Sequence, residues 1–245
     1  MQTPRSVVGQ AASTVDPLGC SQFSHPWRCA ITSSPLPSKA SWNYADEWLD
    51  ESEQIRAARD RAGELGCTPV APSTAHALRV LAKAINAENV VEVGTGAGVS
   101  GAALLSGMSA EGVLTSIDNE AEVQRLARET LNNLGYDHIR ARLITGRALD
   151  VLPRLTDGAY DLVFIDGDRT EYPAALSLAK RLLREGGLVA FDNMLADGSI
   201  GDSSSRNPEA VALRDVTHAL RDDDNWVPAL LTVGSGLLIA IKVAE

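Results

Sequence analysis

The sequence predicts an α/β fold: a mostly parallel sheet with helices on both faces, finished by an antiparallel hairpin. Three observations predict it. From residue 89 to 191, short apolar runs alternate with amphipathic stretches, the pattern of βα units whose sheet is covered on both sides. A glycine-rich turn over residues 94–101 follows the first of those runs. Near the end of the chain, two apolar runs flank Gly234-Ser235-Gly236, which reads as a hairpin.

The elements follow in order. Residues 1–40 are rich in Ser, Pro, Thr and Gln without a sustained period, so a disordered or irregular extension is expected. Val7 and Val8 follow Arg5, but Gln10, Ser13 and Thr14 interrupt the apolar stretch a signal peptide requires. A single domain is expected over 41–245, with N-terminal helices at 41–88 and an α/β core at 89–245. Asp46 can cap a helix carrying Trp48, Leu49, Ile55 and Ala58 that stops at Leu65-Gly66. A second helix follows Pro72-Ser73, with Leu78, Leu81, Ala82 and Ile85 on one face. Strands are predicted at 90–93, 113–117, 139–144, 162–165 and 188–191, with the hairpin at 226–232 and 237–243. Helices are predicted at 100–109, 120–134, 148–155 and 173–184.

Composition narrows the function. The 245 residues carry a formal net charge of −10, and such a surface repels phosphate backbones and anionic membranes. No nucleic-acid or membrane partner is therefore expected, and no apolar run is long enough to cross a bilayer. Cys20, Cys29 and Cys67 are too scattered for a disulfide framework or a zinc site. They read as reduced thiols of a cytoplasmic protein. His25, His76, His138 and His218 are dispersed and read as surface or packing residues.

The run Val90-Val91-Glu92-Val93-Gly94-Thr95-Gly96-Ala97-Gly98-Val99-Ser100-Gly101 leads from a strand through a glycine turn into a helix. Glycines let the backbone pass close to a ligand, and the free N–H groups of a helix start attract its anionic end. The next strand ends at Asp118, whose carboxylate can accept both hydroxyls of a ribose. Together these features point to a nucleoside-type cofactor. Gly96, Gly98 and Gly101 also satisfy the dinucleotide pattern G-x-G-x-x-G, so a nicotinamide-dependent oxidoreductase is an alternative. Register opposes it, because Gly94 occupies the strand end where the first dinucleotide glycine belongs. Glu92 favours a cofactor with a cationic amino group, which S-adenosylmethionine (SAM) has and NAD lacks beside its pyrophosphate.

Two acidic motifs follow at the ends of the fourth and fifth strands, Phe164-Ile165-Asp166-Gly167-Asp168-Arg169-Thr170-Glu171-Tyr172 and Phe191-Asp192-Asn193. Ligands of open α/β sheets bind at those ends. Asp166, Asp192 and Asn193 would supply three hard oxygen ligands, suited to Mg²⁺ and similarly to Mn²⁺ or Ca²⁺. Taken singly, either motif reads as an ordinary turn or cap. Their joint occurrence after successive strands favours a metal site.

From Val70 to Lys242 the chain resembles the metal-dependent catechol and caffeoyl-CoA O-methyltransferases, small class I SAM-binding enzymes. The motifs are Glu92-Val93-Gly94-Thr95-Gly96, Ser116-Ile117-Asp118, Gly146-Arg147-Ala148, the two acidic motifs above and Gly234-Ser235-Gly236-Leu237. The resemblance implies a Rossmann-like class I methyltransferase fold, with a seven-stranded sheet, and methyl transfer to a hydroxyl of a catechol-like acceptor. It implies that Val70 lines the cofactor site and that Glu92, Gly94, Thr95 and Ser100 hold the methionine part. Asp118 would hold the ribose, Ala148 would lie beside the adenine, and Asp168 would contact the amino-acid end. Asp166, Asp192 and Asn193 would bind the metal, and a homodimer is expected by analogy.

Two departures stand out. Arg169 occupies the place of the family's usual basic lysine, and a guanidinium that stays protonated cannot readily take a substrate proton. It can still stabilise an oxyanion, so Arg169 joins Asp166 as an expected catalytic residue. Met194-Leu195-Ala196-Asp197-Gly198 lacks the family's tryptophan, and Ser203-Ser204-Ser205 reads as a mobile polar loop. A SAM-binding homologue with weak or no catechol activity is the alternative these departures raise.

Overall fold

Val, Ile, Leu and Phe fill both faces of the central strands, which can therefore be stable only between two layers of helix. A computed structural model describes residues 38–243 and shows that arrangement. Strands β1 (Asn89–Val93), β2 (Val113–Asp118), β3 (Ala141–Thr145), β4 (Tyr160–Ile165) and β5 (Leu183–Phe191) are parallel. The hairpin of β6 (Trp226–Leu231) and β7 (Leu237–Lys242) joins β5 through antiparallel β7. The seven strands run in the order β3-β2-β1-β4-β5-β7-β6. Direction of travel reverses between β1 and β4, and a crevice opens there beyond the strand ends.

Alternation along β1 feeds two cores. Val90 packs with Leu78 and Ala82 of α3 (Pro72–Ala84) and Leu104 and Leu105 of α4 (Val99–Gly107). Val91 and Val93 face the opposite cluster, with Leu176 of α7 (Tyr172–Leu182) and Leu213 of α8 (Pro208–Arg221). Helices α5 (Ala121–Asn133) and the four-residue α6 (Ala148–Val151) complete the βα connections. Among the described residues, no helix is long and apolar enough to cross a membrane.

Local details differ from expectation. The first predicted helix is two, α1 (Lys39–Glu47) and α2 (Glu53–Glu64). Ser52 Oγ caps α2 by accepting from the Ile55 N–H at 3.3 Å. Asp46 lies inside α1 and instead accepts from the Ser73 N–H, 3.1 Å away in the first turn of α3. Trp48 and Leu49 fall in the break and are exposed. Residue 139 does not begin β3, because Asp137 Oδ1 draws in the N–H groups of Ile139 and Arg140 and turns the chain. Over 148–155, α6 gives way to a 3₁₀ turn at Leu152–Arg154, where Pro153 removes a backbone donor. Helix α8 escaped sequence reading although its signals are present: Asn207 caps, Pro208 opens the first turn, and Ala210, Leu213, Val216 and Leu220 face the core. The predicted 1–40 extension lies outside the described residues, apart from its last members, of which Lys39 and Ala40 open α1.

Helices α3 and α4 meet through small residues. A Cβ on Gly107 would lie 2.2 Å from the Arg79 carbonyl oxygen and 3.1 Å from Ala82 Cβ. Gly107→Ala must push the helices apart, with an expected loss of about 1–3 kcal/mol, read as a lower midpoint in urea unfolding. An unchanged midpoint would refute this close packing.

Candidate active site

Strand register builds the site. Val93 pairs with Ile117 on one side and Ile165 on the other, and Ile165 pairs with Phe191. The next residues therefore form one row along the carboxyl edge: Gly94, Asp118, Asp166 and Asp192. The ladder continues past the strand ends, with Gly94 N–H donating to Ile117 O at 2.9 Å and Asp166 N–H to Val93 O at 2.8 Å. Gly94 sits at φ +91°, and a Cβ there would lie 2.1 Å from the Asp166 carbonyl oxygen. Glycine is required. Gly98 is tight against Ala127, and Gly101 against Glu92 and Leu114. Packing therefore accounts for the two glycines that completed the dinucleotide pattern.

Two cavities meet at this row. The larger, about 430 Å³, is lined by Asp118, Asn119, Gly146, Arg147, Ala148, Asp168 and Glu171. The smaller, about 130 Å³, is lined by Cys67, Val70, Thr95, Gly96 and Ser100. Gly94, Asp118 and Asp166 border both, so an elongated ligand could lie across the glycine turn. Asp118 is held for such contact: its Oδ2 accepts from Gly96 N–H at 3.1 Å and its Oδ1 from Glu120 N–H at 2.9 Å.

Glu92 is fully buried and lines neither cavity. It stands beneath the turn, where Ser116 Oγ donates to its Oε2 at 2.6 Å and can accept from Thr95 Oγ1 at 2.8 Å. Its Oε1 has no hydrogen-bond partner. Burial pushes the carboxyl up to about 7, with the Ser100 and Ser116 hydroxyls offsetting part of the effect.

The acidic end is equally short of counter-charge. Asp166 is pushed well above the usual carboxylate range by burial and then by the Asp192 charge. Burial raises Asp192 to about 6, opposed by the Asn193 N–H and by Arg169. Asp192 Oδ1 has no partner. Asn193 Nδ2 donates to Asp166 Oδ1 at 2.7 Å, and Ser235 Oγ donates to Asn193 Oδ1 at 2.9 Å. Arg169 forms an ion pair with Glu209 of α8 at 2.9 Å. Among the described residues, no three or more His, Cys, Asp or Glu side chains converge on a metal position. Two carboxylates and one amide stand here instead.

A family model described as O-methyltransferase matches residues 44–243. This chain belongs to the O-methyltransferase family. A relative from Mycobacterium sp. (strain JLS), itself named an O-methyltransferase, is 41% identical over 231 residues, 94% of this chain and 99% of its own. A solved protein of Corynebacterium glutamicum is 30% identical, with a TM-score of 0.77 over 83% of this chain and 95% of that one. The O-methyltransferase TomG of Streptomyces achromogenes, involved in tomaymycin synthesis and solved with SAM, shares the fold at 24% identity, with a TM-score of 0.78 over 85% of this chain and 100% of that one.

The fold of this O-methyltransferase is the class I form the sequence predicted. Of the residues singled out, Val70, Thr95 and Ser100 share the smaller cavity, while Gly94 and Asp118 border both cavities. Asp168 does not join that smaller group. It lines the larger cavity with Ala148, and its Oδ1 accepts from the Thr170 N–H and hydroxyl at 2.8 and 2.6 Å. Beside the Ser203–205 loop, Arg214 donates to the Asp202 and Ser205 carbonyls at 2.9 and 2.6 Å. Cys67, Asn119, Glu171 and Ser235 are site residues that sequence reading missed. Cys67, Asn119 and Ser235 come from loops and Glu171 from the 3₁₀ turn Arg169–Glu171, none with a periodic signal of its own.

The raised Glu92 carboxyl gives a stability prediction. Between its ordinary value of 4.5 and about 7, this group is protonated when folded and ionised when unfolded. Stability must therefore fall as pH rises through that window. Glu92→Gln removes the penalty, so the variant should be more stable than the parent at pH 8, by up to about 3 kcal/mol. Urea unfolding at pH 5 and pH 8 checks this, and a gap that fails to narrow at pH 5 contradicts it.

Proposed function

We propose that this O-methyltransferase carries the methyl group of SAM to a hydroxyl of a small catechol-like acceptor held by a divalent cation, Mg²⁺ foremost. The observation that carries the reading is the row Gly94, Asp118, Asp166 and Asp192, which joins two cavities to an acidic edge. The fold neighbour TomG was solved with SAM, which supports the cofactor. The residues also fit both groups. Gly94 borders both cavities with no side chain to obstruct a ligand, and the orphaned Glu92 Oε1 lies beneath the turn as an acceptor suited to an ammonium group. The orphaned Asp192 Oδ1, beside Asp166 and the Asn193 amide, suits a small hard cation with waters completing its shell.

When bound, SAM supplies an electrophilic methyl on sulfur and the cation supplies a Lewis acid that favours a deprotonated acceptor oxygen. The chain supplies position and charge. Asp118 accepts the ribose hydroxyls, Ala148 and Asp168 border the adenine side, and Val70, Thr95 and Ser100 enclose the methionine side with Glu92 behind them. Asp166, Asp192 and Asn193 hold the cation, and Asp166 also orients the acceptor oxygen. Arg169, kept in place by its ion pair with Glu209, offers a guanidinium to the developing oxyanion, so water takes the acceptor proton. A cytoplasmic homodimer completes the reading, with exposed Trp42, Tyr44 and Trp48 as apolar surface for a second copy.

Calorimetric titration with S-adenosylhomocysteine, then with catechol with and without Mg²⁺, tests both halves. Cofactor binding followed by Mg²⁺-dependent catechol binding supports the proposal; absent cofactor binding overturns it. Cofactor binding without a metal effect favours the second reading, a homologue with weak catechol activity, which the Arg169–Glu209 pair makes worth separating. Asp118→Ala should raise the S-adenosylhomocysteine Kd about 10–100-fold, the worth of a hydrogen bond to a charged group. Asp192→Ala should abolish Mg²⁺-dependent catechol binding while the S-adenosylhomocysteine Kd stays within about 3-fold, because Asp192 lines neither cavity.

A further inference from the structure

We propose that Ser235 is a positioning residue for the cation site, holding Asn193 in either of two amide orientations, one satisfying Asp166 and one offering an oxygen to a cation. The inference rests on the metal reading above. It begins with a backbone tied to the hairpin turn. Asn193 has φ +61°, a left-handed conformation that non-glycine residues seldom adopt. The residues after it are tied to the β6–β7 turn, Met194 N–H donating to Gly236 O at 3.0 Å and Leu195 N–H to Ser235 O at 2.8 Å. The turn is pressed so close that a Cβ on Gly236 would lie 2.5 Å from Leu195 Cγ. The Asn193 side-chain amide can still turn about its own bond.

As the side chain stands, its Nδ2 donates to Asp166 Oδ1 at 2.7 Å and its Oδ1 accepts from Ser235 Oγ at 2.9 Å. That orientation turns an N–H toward the Asp166 carboxylate, the opposite of what a cation needs. A half-turn of the amide exchanges the two ends. Nδ2 then faces Ser235, whose hydroxyl changes from donor to acceptor without losing its bond. Oδ1 then faces Asp166 Oδ1 across the 2.7 Å now spanned by a hydrogen bond. Two oxygens that close repel unless a cation lies between them, and neighbouring oxygen ligands on octahedral Mg²⁺ stand about 3 Å apart. The turn is therefore coupled to the cation. A hydroxyl at residue 235 serves both orientations; alanine serves neither.

The test is Mn²⁺ binding to the full chain, followed by electron paramagnetic resonance, for the parent, Ser235→Ala and Ser235→Thr. Loss of an outer hydrogen-bond partner typically weakens metal affinity about 10–100-fold, and that rise in Kd is expected for Ser235→Ala. Ser235→Thr should stay within about 3-fold of the parent, and S-adenosylhomocysteine binding should be unchanged in both. Parent-like Mn²⁺ affinity in Ser235→Ala overturns the positioning role and leaves the metal reading intact. An equal loss in Ser235→Thr also overturns it, since the hydroxyl would not be the cause. A parent chain that binds no Mn²⁺ brings down the metal reading and this inference together. Independently of any variant, Mg²⁺ should shift the Asn193 side-chain amide resonances in ¹⁵N NMR; resonances unmoved while Mg²⁺ binds refute the half-turn.

Discussion

At the carboxyl ends of β1 and β4 the chain passes so close to itself that a Cβ on Gly94 would lie 2.1 Å from the Asp166 carbonyl oxygen. That approach ties the two strand ends together through the Asp166 N–H to Val93 O bond and leaves room above the turn. The parallel register then carries Asp118 and Asp192 into the same row. Asp118 holds the turn from the other side through the Gly96 N–H. Both cavities border this one point.

The row is also where the fold tolerates poor electrostatics. Glu92, Asp166 and Asp192 are raised mainly by burial, and Glu92 Oε1 and Asp192 Oδ1 lack partners. Buried unpartnered oxygens cost stability, roughly 1–3 kcal/mol each. Clustered shifts of this kind are common at functional sites. An ammonium group near Glu92 and a divalent cation near Asp192 would each answer one of them.

The C-terminal third of the chain frames the acidic end. Helix α8 presents Glu209 to Arg169, and Arg214 of the same helix gathers the loop before it. The hairpin turn brings Ser235 to Asn193, while Gly234 presses against Thr74 of α3, where a Cβ would lie 2.3 Å from its Oγ1. The acidic end is thus set by contacts between segments distant in sequence.

Much of this was legible in the sequence, for definite reasons. Apolar runs of strand length are buried wherever they fall, so their alternation with helices dictated the sheet and its closing hairpin. Residues adjoining a strand end, such as Gly94, Asp118 and Asp166, could be placed because register follows from the strands themselves. One reading failed where one segment met another: Asp46 turned from capping its own helix to serving Ser73. Sequence by itself determined the fold and the chemistry available at its edge, because local periodicity and strand-end position encode both. Tertiary structure alone decided which partner each side chain met, Glu209 for Arg169 and Ser235 for Asn193, because contacts spanning 40 and 42 residues leave no local pattern.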